Sequence, residues 1–171
     1  MKTKTGAILV EDLYHELEFW VPFYRLVEAG VEMTIAGPTA ETTYKSKGGT
    51  AATSHAAASD LNGADFDVVV IPGGYAPDRM RRDAGMLKLV RDAHEAGKIV
   101  AFICHAGWVP ISAGIVKGKK LTSFFAIKDD LVNAGAEWVD QSVVRDGNMI
   151  TSRTPADLPD FCRAIVAALE A

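Results

Sequence analysis

Four stretches of the chain run apolar without alternating: Ala7–Val10, Met33–Ala36, Asp67–Ile71 and Ile99–Ile103. A strand with one wet face alternates, whereas a strand covered on both faces does not, so these read as buried parallel strands. Between the first two, Leu17, Trp20, Val21, Tyr24 and Val27 recur at helical spacing over Glu16–Ala29, with Gly30 as a stop. That row predicts the buried face of a helix. Leu26 falls off it, which a helix buried on more than one side allows, and Pro22 predicts a distorted first turn. Between the last two strands, Met86, Leu87, Leu89, Val90 and Ala93 mark a second helix over Gly85–Glu95, closed by Gly97. Strand–helix–strand units repeated in this way imply right-handed crossovers and a helix-covered sheet.

The rest of the pattern is weaker. Residues 37–62 are rich in Gly, Thr, Ser and Ala and show no helical face, which predicts a short hairpin or two extended pieces around Thr43–Lys47 and Ala51–Ser54. A short strand near Leu121–Ser123 and a helix over Ile127–Asn133, stopped by Gly135, come next. Asp146-Gly147 is a turn signal joining Val143–Arg145 to Met149–Ser152 as a hairpin. The apolar spacing of Ala156–Leu169 predicts a last helix packed on the sheet.

Composition narrows the class without naming a function. The 171 residues suit a single domain, 1–171, with one core. With 49% hydrophobic and 23% charged residues the chain is globular and not disordered. Eighteen basic against 22 acidic residues leave a charge of −4, and no basic run interleaves with aromatics, so no nucleic-acid partner is expected. The cluster Arg79, Arg81, Arg82 is matched by Asp78 and Asp83 and reads as a solvated mixed-charge surface. The apolar run after Met1–Thr5 is too short for a secretion signal, and no stretch approaches a membrane span. Cys104 and Cys162 lack metal spacing and form no disulfide framework, so a cytoplasmic protein with reduced thiols and no metal or cofactor is expected. His55 and His94 are isolated and read as surface residues; Cys162 reads as a packed, inert thiol.

Candidate chemistry collects at two strand ends. Ile99–Ile103 runs into Cys104-His105-Ala106-Gly107-Trp108, small residues before another helical stretch. Such a sharp strand-to-helix turn, a nucleophile elbow, lifts a side chain out of the carboxyl edge of the sheet, where open α/β folds place their ligands. A helix start there favours a thiolate and offers N–H groups to a developing oxyanion, and Pro110 is tolerated only in the first turn, which fixes the start near His105–Trp108. By itself Cys-His is a weak pattern, and a buried cysteine is more often a small hydrophobe. The second strand end, Ile71-Pro72-Gly73-Gly74, supplies glycines that let backbone approach a ligand. Two strand ends carrying site chemistry are hard to explain by packing.

These residues resemble the ThiJ/PfpI family of the glutamine-amidotransferase-like superfamily, and its PfpI-type intracellular protease branch in particular. The matching stretches are Glu18 with Pro22, Ile71-Pro72-Gly73-Gly74-Tyr75-Ala76-Pro77-Asp78 and Ile103-Cys104-His105. Ile111-Ser112-Ala113-Gly114, Lys117-Gly118-Lys119, Asp129-Asp130, Asn133-Ala134-Gly135 and Asp146-Gly147-Asn148 extend the match along the chain. The resemblance implies an α/β fold, a flavodoxin-like three-layer sandwich with a mostly parallel sheet. It implies Cys104 as nucleophile, Glu18 hydrogen-bonded near its sulfur, and oxyanion N–H groups from Gly74 and His105. It also implies that Asp78, from a neighbouring subunit, orients His105, and hence a homo-oligomer (dimer or hexamer).

Three positions depart from the branch. Asp78 stands where Glu is common, Phe124 where Tyr is common, and His15 where a second acid is expected. With Gly73 and Gly74, His15 and Phe124 are expected to line the substrate site. The resemblance implies a cysteine-dependent, stress-related enzyme acting on a small carbonyl compound, a peptide or a glycated substrate: a peptidase, a deglycase or a glyoxalase. A redox sensor using the same thiolate, and a holdase chaperone, are the alternatives.

Overall fold

The structure, a computed structural model, describes residues 3–171. In chain order its elements are β1 (Thr5–Leu9), α1 (Glu16–Glu28), β2 (Glu32–Gly37), β3 (Thr43–Lys45), β4 (Ala51–Thr53), β5 (Ala56–Ala57) and β6 (Val68–Ile71). There follow α2 (Ala76–Met80), α3 (Ala84–Glu95), β7 (Ile99–Ile103), α4 (Trp108–Ala113), β8 (Lys120–Leu121) and α5 (Lys128–Asn133). The chain closes with β9 (Glu137–Trp138), β10 (Val143–Asp146), β11 (Met149–Ser152) and α6 (Leu158–Glu170).

Seven strands form the central sheet in the order β10-β11-β7-β6-β1-β2-β5. All neighbours pair parallel except β10 and β11, the expected hairpin, whose inner strand β11 lies parallel to β7. The unbroken apolar runs sit in the middle, and every residue of β6 and β7 is buried. From β1 the chain steps through α1 to β2, whereas from β6 it steps through α3 to β7 in the opposite direction. Right-handed crossovers in opposite directions put their helices on opposite faces of the sheet. Accordingly α1 packs with α6 in one layer and α3 packs with α4 in the other. The three-layer sandwich is the expected fold. The chain diverges between adjacent β1 and β6, and this switch point opens a crevice at the carboxyl edge of the sheet.

The helix α1 corrects the sequence reading. The predicted row is its outer face: Leu17 (50% exposed), Val21 (40%), Tyr24 (62%) and Val27 (46%) face outward, and Trp20 is half-buried. The buried positions are Glu18, Phe19, Pro22 and Leu26. The helix is apolar on both sides, and its covered side carries a carboxyl, so spacing of apolar residues picks the wrong one. Pro22 lies inside the helix in its second turn, not its first. Lacking an N–H, it leaves the Glu18 carbonyl without its helical donor.

Smaller differences have local causes. Asp83 does not join the arginine cluster; its carboxylate caps α3 by accepting from the Met86 N–H at 2.8 Å. Arg82 pairs with Asp78, while Arg81 donates to Ser112 and lies over the Trp108 ring. His94 is half-buried, its Nδ1 is unpartnered, and burial lowers its pKa. Cys162 is buried on α6, and burial pushes its thiol up to about 11. No helix among the described residues is long and apolar enough to cross a membrane.

Candidate active site

Three adjacent strands deliver the site. Cys104 directly follows β7 with φ 63°, a left-handed conformation that L side chains avoid, and opens a tight 3-10 turn, Cys104–Gly107, that leads into α4. That strain, on the order of 1 kcal/mol or more, is held by the buried strand before it and the helix after it. Pro110 lies in the first turn of α4, as its missing N–H requires. This is the elbow that the sequence predicts.

Glu18 enters from the first turn of α1 and is fully buried. Its Oε2 accepts the Gly73 N–H at 2.8 Å, its Oε1 has no hydrogen-bond partner, and the expected hydrogen bond to the Cys104 sulfur is not formed. The carboxyl and Cys104 both lie against Gly73, close enough to couple the two titrations. Burial, the dominant cause, lifts the carboxyl to about 7. Burial, and then the Glu18 charge, push the thiol up to about 12. The backbone N–H groups of His105 and Gly74 act the other way, stabilising negative charge on the sulfur. The pair therefore gives up one proton near neutral pH and holds the second far longer.

The glycines of the second strand end are required by space. A Cβ on Gly73 would strike the Glu18 carboxylate and come within 2.8 Å of the Cys104 Cβ. Gly74 has φ 86° and bridges to Tyr14; a Cβ there would meet the His15 nitrogen and the Leu13 oxygen at 2.6 Å each. Close packing at Gly74 thus joins the loop after β1 to the end of β6, and the His15 N–H donates to the Gly73 carbonyl at 3.0 Å.

His105 turns its Nδ1 toward the Cys104 Sγ at 3.3 Å. Its ring packs between Phe124 (centroids 5.0 Å apart) and Trp108 (5.3 Å), and burial lowers its pKa, so it is a neutral imidazole at pH 7. His15, at the N-cap of α1, is also held neutral by burial, and its Nδ1 is unpartnered. His15, Glu18, Gly74, Cys104, His105 and Phe124 all line one cavity of about 320 Å³, and Gly73 lies directly behind it. Asp78 is not in its lining: it is exposed and pairs with Arg82 on its own segment. Among the described residues no carboxylate hydrogen-bonds to His105. Lys47, Tyr75, Thr154 and Pro155 complete the lining, and sequence reasoning did not select any of them as a site residue. Lys47 comes from the β3–β4 turn, where no local pattern marks it; only the fold brings that turn to the cavity.

Fold and site together define an α/β protein with a cysteine on a nucleophile elbow and a buried carboxyl against its sulfur. The chain belongs to the DJ-1/PfpI family, whose family model matches residues 4–168. It is 39% identical to Deglycase PfpI of Pyrococcus furiosus over 157 residues, which is 92% of this chain and 94% of that protein. It is 38% identical to Protein/nucleic acid deglycase 2 of Escherichia coli over 171 residues, 99% of each. Among solved structures, Drosophila melanogaster DJ-1beta superposes with a TM-score of 0.91 at 32% identity, covering 98% of this chain and 91% of that one. A two-domain protein of Anabaena variabilis, containing DJ-1/ThiJ/PfpI-like and ferritin-like domains, superposes at 0.96 with 41% identity over 98% of this chain. This chain spans about half (48%) of that protein's length.

Proposed function

We propose that this protein is a cysteine-dependent deglycase-type enzyme, acting on carbonyl adducts of α-oxoaldehydes. The observation that carries the reading is the convergence on one sulfur: a strained elbow presents Cys104, two backbone N–H groups face it, and a carboxyl that titrates near 7 lies against it. A group titrating near the working pH is suited to proton transfer. The thiol passes its proton to Glu18 as Sγ bonds to the aldehyde-derived carbon of the adduct and the C–N or C–S bond to the amine or thiol breaks, His105 supplying the proton that the departing group needs. The hydrogen on that carbon then moves as a proton to the neighbouring carbonyl carbon through an enediolate, whose oxygen the Gly74 and His105 N–H groups stabilise. The resulting 2-hydroxyacyl thioester is hydrolysed by water to a 2-hydroxy acid and the free Cys104 thiol. The names of the relatives favour deglycation over the other carbonyl reactions.

Amide hydrolysis is the second reading, and one observation favours it. Phe124 and Thr154 also line a further cleft of about 410 Å³, with Phe125 and Arg153, so the site has room to continue along a peptide. We also assign the protein to the reducing cytoplasm, since its two cysteines form no disulfide. We further assign it a homo-oligomeric state, on two grounds. Among the described residues no acid hydrogen-bonds to His105, and α1 leaves an apolar row uncovered.

The test is a panel of methylglyoxal, methylglyoxal adducts of N-acetylated amino acids and fluorogenic peptides, assayed with wild type and Cys104→Ser. Adduct breakdown that drops about a hundredfold or more in Cys104→Ser is the expected result. Equal breakdown by both proteins removes the nucleophile assignment, and peptide cleavage without adduct breakdown replaces the first reading by the second.

A further inference from the structure

Lys47 is the one lysine or arginine that lines the Cys104 cavity. Its ammonium takes part in no ion pair among the described residues. A long cationic side chain with no partner usually waves in solvent, but this one has a fixed base. The Lys47 N–H donates to the Tyr14 carbonyl at 2.9 Å, and the Ser46 hydroxyl accepts from the Gly48 and Thr50 N–H groups at 3.2 and 3.0 Å. The Glu16 carboxylate accepts the Gly48 N–H at 3.2 Å, tying the β3–β4 turn to the start of α1. The ammonium stands over the Tyr75 ring, 5.4 Å from its centroid, and Tyr75 also lines the cavity.

The charge is felt inside. It lowers the pKa of His15, His105 and Glu18, and the two histidines are already neutral through burial. The rest of the lining (Phe124, Tyr75, Pro155, Thr154) carries no charge. The one anion in the lining, Glu18, is buried with its Oε2 on the Gly73 N–H and forms no ion pair with Lys47, so the exposed ammonium is left to meet an anionic group on what enters.

The geometry points to Lys47 as the anchor for a substrate carboxylate, so that the site selects small carbonyl compounds and adducts that carry one, such as glycated free amino acids, over the same adducts on uncharged stretches of protein. This rests on the reading of Cys104 as the reacting group, and it adds the substrate class.

The first test needs no turnover. Iodoacetate and iodoacetamide alkylate the same thiolate and differ in one negative charge, so the ratio of their rates at Cys104 cancels any change in thiol pKa. Peptide mapping gives the same ratio at Cys162, which shares a separate cleft with Arg25 and Arg163, as a control that Lys47 does not reach. The expected ratio at Cys104 falls about threefold to tenfold in Lys47→Met and is retained in Lys47→Arg, while the ratio at Cys162 moves in neither. Added salt lowers the Cys104 ratio in wild type but not in Lys47→Met. The second test compares the methylglyoxal adducts of N-acetylcysteine and of its amide, and the KM advantage of the acid should shrink in Lys47→Met. A ratio that Lys47→Met leaves unmoved overturns the anchor even where both adducts are turned over. A ratio that responds to Lys47 while neither adduct is turned over sustains the anchor and counts against deglycation instead.

Discussion

Glu18 has no surface in contact with water, yet it carries a titratable carboxyl against a thiol. Two acids so placed titrate as a pair. Alkylation of Cys104 by iodoacetamide should therefore first rise near pH 7, as the pair loses one proton. In Glu18→Gln that first rise should move to higher pH, because no carboxyl shares the proton; a rise that stays at 7 rules Glu18 out as the proton partner. The same residue sets a pH dependence of stability. Its folded pKa is raised, so its contribution is fully present below the unfolded value near 4.5 and is lost as pH climbs through about 7. The loss is about 3 kcal/mol. Thermal melts should show Glu18→Gln above wild type at pH 8 and level with it at pH 4. Cys104 invites a separate comparison. At φ 63° glycine is free of the strain that any Cβ suffers, so Cys104→Gly should be more stable than Cys104→Ala by up to about 1 kcal/mol in urea. The reverse order would mean that the elbow is not strained.

At the scale of elements, helix ends and strand ends were legible because their signals are local. Gly97 just beyond Glu95 closes α3 in the sequence and in the fold, whereas Asp83, read with the arginine cluster, is the cap at its other end. Asp83→Ala removes an N-cap and should cost about 1 kcal/mol by chemical denaturation, with thiol reactivity unchanged. The α1 helix shows where local signals end. Its apolar residues occur all round, and which side is covered depends on where α6 and the sheet lie. Pro22 was read as distorting the first turn; it sits in the second, and the carbonyl that its missing N–H leaves without a donor is that of Glu18 in the first.

For the whole molecule, the exposed row on α1 and the missing partner of His105 ask for a second copy. Sedimentation at micromolar concentration should show a species larger than the 18.3 kDa chain. The pair of substitutions Val21→Asp and Tyr24→Asp should shift it toward monomer without lowering the melt much, since both side chains are exposed. If that pair leaves the assembly intact, subunits meet on another face. Asp78→Ala then tests the acid: activity should fall in the assembled protein while the fold is kept, because Asp78 is exposed and contacts only its own Arg82.

The sequence by itself determined the order of the longer strands and helices, the parallel character of the core strands and the elbow at Cys104, but not the short α2, β5 and β9. Each of the features it determined is written in neighbouring residues: unbroken apolar runs, glycine stops, and a cysteine followed by small residues and a first-turn proline. Tertiary structure alone decided which face of α1 is buried, that Glu18 is driven to about 7, and that Lys47 and Tyr75 stand at the mouth of the cavity. Burial and electric fields depend on groups distant along the chain: Glu18 meets Gly73 across 55 residues, and Cys104 lies farther still. Nothing in a window of neighbouring residues carries such a distance.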